Sequence, residues 1–377
     1  MTVVMTDPVR REDISNIPDN RPGVPESERT IEPGKDNWST LQHRMNQVPD
    51  GTKVIFPGII TCDRTLEVKP TSEKPKRTTI VTNGGGLQLL TDTAGLDGPG
   101  ARKRASLRFI DVDYSGTCNF SIIGVHPYSG PGKSPILPSD YWKTVDDDPG
   151  NDSWPTRNIW EDQAGVEFVH CNYWRVMYTN IKKIWGDAVG AGGKGSGTGY
   201  EPSHGGKILD GVFDRIGRIM CTPYISDFEW RGTECLNQPG DIYHLEMGGA
   251  PGLAISNHLV HGVKYKGDGR FATLSSGALY EGITIEEIVG TMFYVQVKGD
   301  LDGNNRPLAR RIRLLRNVCT KTIRVFAMMT NVEAAEIVNN VAVIDPRNAP
   351  TGTKNGLRMT NCPGAVVTPN EFTRLVW

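Results

Sequence analysis

Seven residues of this 377-residue chain carry side chains suited to cutting or gripping a glycan: Asp187, Asp210, Asp214, Arg215, Asp241, His244 and Glu246. Hydrolysis of a glycosidic bond needs two carboxyl groups roughly 5–10 Å apart, depending on mechanism. The acids supply the pair, His244 can carry a proton, and Arg215 can clamp a substrate. In the run Asp241-Ile242-Tyr243-His244-Leu245-Glu246 polar and apolar residues alternate. On a strand His244 and Glu246 therefore share a face. An exposed polar groove and a structural network both fit that pattern. Asp187, Asp210 and Asp214 equally fit chain corners, where a carboxylate satisfies turn backbone. A lyase would need a cation beside a uronate and a base for its α-proton. No recognisable version of that set occurs.

Other motifs point away from metals and cofactors. Asp300-Leu301-Asp302-Gly303-Asn304-Asn305 resembles the start of a calcium loop, but arginines follow where the distal acidic ligand belongs, so it reads as a turn. Gly190 to Lys194 is glycine-rich without the Gly-Lys-Ser/Thr ending of a phosphate loop. His258 and His261 lie three apart on a strand-like run, hence on opposite faces, a poor arrangement for one metal. The expectation is no metal and no cofactor.

Aromatic residues concentrate in one long interruption, 126–163, where Tyr128, Tyr141, Trp142, Trp154 and Trp160 stand beside Asp146, Asp147, Asp148 and Asp152. Flat rings beside carboxylates suit sugar faces. These five are expected to contact glycan or a neighbouring subunit, or to pin the loop to the body.

The element that must position these groups is a repeated phrase: alternating apolar residues, a small polar corner, then another apolar run. It occurs over 178–184, 208–213, 225–236, 283–289, 312–318, 336–343 and 357–367, with corners near Asn180, Asp210, Arg231, Glu286, Asn317, Asn339 and Asn361. The mean spacing is roughly 26 residues, within the range of stacked repeats. Such units cannot bury an apolar face alone and must stack. Short β-branched strands separated by Gly, Asn and Asp predict an all-β, right-handed parallel β-helix. Adjacent coils then sit about 4.8 Å apart, so acids distant in sequence can meet the spacing a glycosidase needs.

Composition agrees. Apolar residues make up 37%, mean hydropathy is −0.37, and Gly (43) and Pro (25) are both abundant, as corners demand. A net charge of −1 argues against a nucleic-acid partner. The basic run Arg306, Arg310, Arg311, Arg313 and Arg316 reads as a solvated or interface face. Seven scattered cysteines without a CxxC pair imply reduced, mostly buried thiols. The N-terminus lacks a signal-peptide core and no run is long enough to span a membrane, which predicts folding in a cytosol without ordinary export or membrane insertion.

Along the chain, 1–35 reads as an extended docking arm and 36–350 as the β-helix, with interruptions at 126–163 and 190–204. Residues 351–377 read as the last coil with a cap or subunit contact. A short helix around Trp38, Leu41 and Met45 is expected to close the first coil.

Pro49-Asp50-Gly51, Val54-Ile55-Phe56-Pro57-Gly58 and Thr65-Leu66-Glu67-Val68 resemble the entry into pectin-lyase-like β-helices. Gly165-Val166-Glu167-Phe168, Asn180-Ile181 and Trp185-Gly186-Asp187 resemble the coil-and-corner phrase of the same superfamily. Phe213-Asp214-Arg215-Ile216-Gly217-Arg218 is similar to a phrase of β-helix proteins from actinobacteria and their phages, although Ile219 and Met220 replace the Gln-Gly pair that usually follows. The resemblance covers about 36–365. It implies a phage minor tail protein or tailspike located in the virion tail. Such a protein is a homotrimer, docked to other tail proteins through 1–35 and meeting host cell-surface polysaccharide. The alternative it implies is a depolymerase cleaving that polysaccharide.

Overall fold

The computed structural model describes residues 27–30, 38–47, 52–56, 58–62, 65–70, 78–81, 85–89, 104–124, 163–184, 186–195, 199–238, 240–246, 254–267, 269–347 and 349–374. Trp377 and the aromatic positions 128, 141, 142, 154 and 160 lie outside them.

From Thr52 onward, successive described strands do not pair with each other; each pairs with the strand three or so steps along the chain, always in parallel. The described strands thus form three parallel sheets of 13, 11 and 10 strands, visited in turn. Thr52–Ile55 lies in the first sheet, Ile59–Cys62 in the second and Leu66–Val68 in the third, after which the cycle restarts. The crossovers have the usual hand, and the molecule is a right-handed parallel β-helix.

Alternation explains why these runs coil. Phe228–Arg231 and Val295–Lys298 bury every second side chain and turn the others outward. The inward residues stack in file. Phe271, Phe293, Phe326 and Phe372 follow one another at ring-centroid distances of 5.2, 4.7 and 4.8 Å. That is close to one coil step, so each ring fills the space below the next. Each fully buried ring contributes about 1.5–3 kcal/mol.

The corner from the first to the second sheet is made by one left-handed residue per coil. Asn119, Tyr178, Asp210, Gly232, Gly262, Glu287, Arg316 and Asn339 all have φ between 41° and 69°. All but Asn339 donate their N–H to the residue before the equivalent corner of the next coil, as Tyr178 does to Leu209 and Asp210 to Arg231; Asn339 donates to Pro369. Six of these lie at or within two residues of the expected corners, while Asn119 and Gly262 were not expected. Asn361 instead turns at another corner, where its Nδ2 donates to Asn331 Oδ1 at 2.9 Å. Directly after the corner, buried Asn317 and Asn340 and half-buried Asn370 form a ladder. Nδ2 of each donates to Oδ1 of the next, at 3.0 and 2.9 Å.

The expected helix is present as α1, Trp38–Asn46. It buries Leu41 and Met45 on the first coil. The Gln42 carboxamide accepts from Glu67 N and donates to Glu67 O, both at 2.8 Å, pairing a strand edge that would otherwise be open. Two boundaries differ from expectation. Ser27–Thr30, assigned to the docking arm, is a strand paired with Thr52–Ile55. The interruption at 190–204 begins later, because Gly190 and Gly192 belong to the strand Asp187–Gly192 of the third sheet. Cys118, Cys171, Cys221, Cys235 and Cys319 are free and buried. The basic run is paired with acids, as in Arg313 with Glu336 and Arg316 with Glu286.

Candidate functional site

The third sheet brings four of the five proposed catalytic residues to one face. Its register defines an outward column: Glu67, Arg108, Glu167, Gly190 and Thr222, then His244, Thr273, Gln296, Met328 and Arg358. Glu246 follows two residues after His244, on the same side of the strand Tyr243–Leu245. Asp187 and Asp241 stand at the entries of their coils, three residues ahead of Gly190 and His244.

Around these groups the side chains form one polar network. Asp241 is wholly buried. Its carboxylate accepts from Arg270 Nε at 2.9 Å and contacts His244 Nδ1 at 3.0 Å. Burial alone would raise its pKa, but the His244 hydrogen bond and the Arg270 charge outweigh that and hold it below the usual carboxylate range. His244 experiences the reverse balance. Burial disfavours its cation, yet Asp241 and Glu246 push the imidazole up to about 9. It is therefore an imidazolium at neutral pH, with Nε2 3.6 Å from Glu246 Oε2. That nitrogen is buried and has no hydrogen-bond partner.

Glu246 also accepts from the Tyr224 hydroxyl at 2.9 Å. The His244 contact and this bond hold it down at about 2. Asp187 behaves oppositely. It is buried, and desolvation pushes its carboxyl up to about 6 despite Arg218 at 3.4 Å and a 3.2 Å hydrogen bond from Thr222 Oγ1. Arg218 and Tyr224, from the coil between, act electrostatically on Asp187 and on Glu246 alike. A proton-holding acid and an ionised carboxylate thus belong to one polar network, the combination that separates acid from base in glycosidases.

Asp214 and Arg215 are not part of this site. They lie on the second sheet side of the coil, where Arg215 Nη2 meets Asp214 Oδ2 at 2.7 Å and Asn237 donates to Asp214 Oδ1 at 2.8 Å. Alternation assigned an outward or inward face but not which of three sheets the residue joins. Asp210 is a corner residue, as its alternative reading held. His258 is buried and His261 is not, in line with opposite faces. Asp302 caps its own turn, its Oδ1 accepting from Asn304 N and Arg306 N at 2.8 Å each. Arg218, Thr222, Tyr224 and Arg270 were not anticipated. Their roles come from register between coils of unequal length, with no local sequence signal.

No known family model matches the chain, and no curated protein matches it. Its architecture is a parallel β-helix of three sheets. Among solved structures it is similar to a polygalacturonase from Erwinia carotovora ssp. carotovora, with 11% identity, 94% of this chain and 96% of that one covered, and a TM-score of 0.45. It is also similar to a lacto-N-biosidase from Eubacterium ramulus, with 11% identity, 89% and 64% covered, and a TM-score of 0.43. A third is the Dettilon tailspike protein, with 12% identity, 89% and 58% covered, and a TM-score of 0.40. The chain spans somewhat less than two thirds of the length of these last two.

Proposed function

We propose that this protein is the β-helical body of a phage tail spike or minor tail protein, and that its third sheet hydrolyses a cell-envelope polysaccharide. The observation that carries the enzymatic part is the pair Asp187 and Glu246. They occupy one face, two coil steps apart, with carboxyl groups pushed to about 6 and about 2. Asp187 protonates the departing glycosidic oxygen. Glu246 accepts a proton from the attacking water. The two residues lie two coils apart and five register positions apart along the strands, their side chains converging closely enough for each to act on the other's charge. The proposed water stands between them, as in the inverting class. Asp241 does not serve as base, because His244 and Arg270 occupy both its oxygens. Its role is to orient and charge His244.

The virion assignment, the homotrimer and docking through 1–35 rest on the sequence phrases at 49–68 and 213–218. The experiment for the activity is release of reducing ends from purified envelope polysaccharide of the host. Asp187→Asn should lower the rate at least 100-fold, and an unchanged rate overturns the hydrolytic reading.

One feature favours recognition without cleavage: Asp241, His244, Glu246 and Arg270 already satisfy one another without substrate. Polysaccharide bound tightly by wild type, with no reducing ends released, selects that second reading.

A further inference from the structure

Glu246 and His244 carry opposite charges two residues apart on one side of their strand, yet they do not close on each other. Their facing atoms, Oε2 and Nε2, stay 3.6 Å apart, and the nitrogen has no hydrogen-bond partner. An imidazolium and a carboxylate that can approach settle at about 2.7–2.9 Å. Both groups must therefore be held back.

The imidazole is anchored on its far side. Asp241 contacts His244 Nδ1 at 3.0 Å and accepts from Arg270 Nε at 2.9 Å. Arg270 Nη1 in turn donates to Gln296 Oε1 at 3.2 Å, so the ring is braced through the next two coils. The carboxylate is anchored by Tyr224, on the preceding coil, whose hydroxyl donates to Glu246 Oε1 at 2.9 Å. Tyr224 is fixed as well: its N–H donates to Ala191 O at 2.8 Å and its ring packs on the core. Burial and the Glu246 charge raise its hydroxyl well above the usual tyrosine value, so it keeps the proton it donates. The outcome is a carboxylate with one oxygen tied and the other unbonded, on a side chain 43% exposed. An oxygen hydrogen-bonded directly to an imidazolium is a poor proton acceptor, and this gap spares Oε2 that bond.

We propose that Tyr224 is a positioning residue for the base: its hydroxyl tethers Glu246 away from His244 and leaves Oε2 to take the proton of the attacking water. The positioning role rests on the hydrolytic reading above, whereas the tether is a matter of geometry alone. Without the hydroxyl, Glu246 swings onto His244 Nε2. Each group then satisfies the other, and the attacking water loses its proton acceptor.

The test compares full-length wild type, Tyr224→Phe, His244→Asn and the double variant, with melting curves to confirm folding. Phenylalanine keeps the ring on the core and removes only the hydroxyl. Asparagine in place of His244 keeps a donor for Asp241 and removes the nitrogen that faces Glu246. In reducing-end release from host envelope polysaccharide, Tyr224→Phe should lower kcat about tenfold or more while KM changes less than about twofold. Tyr224→Met, which also lacks the hydroxyl, should show the same loss. In the His244→Asn background Tyr224→Phe should cost less than about threefold, because the group onto which Glu246 collapses is gone. A crystal structure of Tyr224→Phe should show Oε2 closing onto Nε2 to about 2.7–2.9 Å. An unchanged gap there overturns the tether. So does an equal kcat loss in both backgrounds, the pattern of a residue that only supports the fold. Wild-type turnover in Tyr224→Phe beside an inactive Asp187→Asn overturns the positioning role and leaves hydrolysis standing. A wild type that releases no reducing ends overturns hydrolysis and the role together, and the crystal structure then decides the tether alone.

Discussion

Asp187 and Asp241 occupy the same register position two coils apart, yet their carboxyl groups are displaced in opposite directions, Asp187 upward and Asp241 downward. Both are buried. The difference is in their partners: Asp241 accepts a 2.9 Å hydrogen bond from Arg270, whereas Arg218 stays 3.4 Å from Asp187. Asp241 also has the 3.0 Å His244 contact, which Asp187 lacks, and these two partners together hold it as an anion while desolvation leaves Asp187 raised.

Asp187 fixes a pH dependence for activity. It must be protonated to act as acid, so turnover should fall as pH rises through about 6. Its effect on stability has the same direction: with the folded pKa raised above 3.8, the folded state is favoured most below that value and loses ground as pH rises to about 6. Asp187→Asn should therefore abolish turnover while melting at pH 8 no lower than wild type. Rate profiles and thermal melts from pH 4 to 8 measure both.

His258 is a buried titrating group outside the site. Its Nε2–H donates to Ile225 O at 2.7 Å and its Nδ1 accepts from the Tyr243 hydroxyl, which fixes the neutral tautomer. Burial lowers it to about 4. Its contribution is then present above the unfolded value of 6.5 and is lost as pH falls through about 4, a change on the order of 3 kcal/mol. Denaturant midpoints between pH 7 and 4 should show that decline. His258→Gln should flatten it and lower stability at pH 7 by about 2–4 kcal/mol.

The buried asparagine ladder makes a prediction about the rod itself. Asn340 accepts from Asn317 N at 2.9 Å and donates to Leu314 O at 2.8 Å. Asn340→Ala leaves those buried backbone groups unpaired and should destabilise by about 2–4 kcal/mol. Chemical denaturation checks the value, and a loss below 0.5 kcal/mol contradicts the ladder's role.

Gln42 closes the first coil through two hydrogen bonds to Glu67, so Gln42→Ala should expose a strand edge there. The expected outcome is a loss of about 1–2 kcal/mol together with concentration-dependent self-association, read by light scattering.

The fold was legible because its signals are local. Two-residue alternation and Asn, Asp or Gly at corners indicated the coils, and six of the eight left-handed residues fell within two residues of expected corners, Asn119 and Gly262 being missed. The site was legible only where it too is local, as in the run from Asp241 to Glu246. Lys207 pairs with Glu229, 22 positions on, whereas Arg175 pairs with Lys207, 32 positions on. With coil lengths so uneven, the register that sets Thr222 between Gly190 and His244 cannot be counted from sequence. The same unevenness led Asp214 to be grouped with acids on a different sheet.

The single left-handed residue at each first corner has an evolutionary consequence. Because the coils from Asn119 to Asn339 turn on the same hinge geometry and hand their backbone partners on, whole coils can be gained or lost there without re-aiming the ones that remain. Rod length and binding reach can therefore drift between descendants while the cluster spanning three neighbouring coils stays intact.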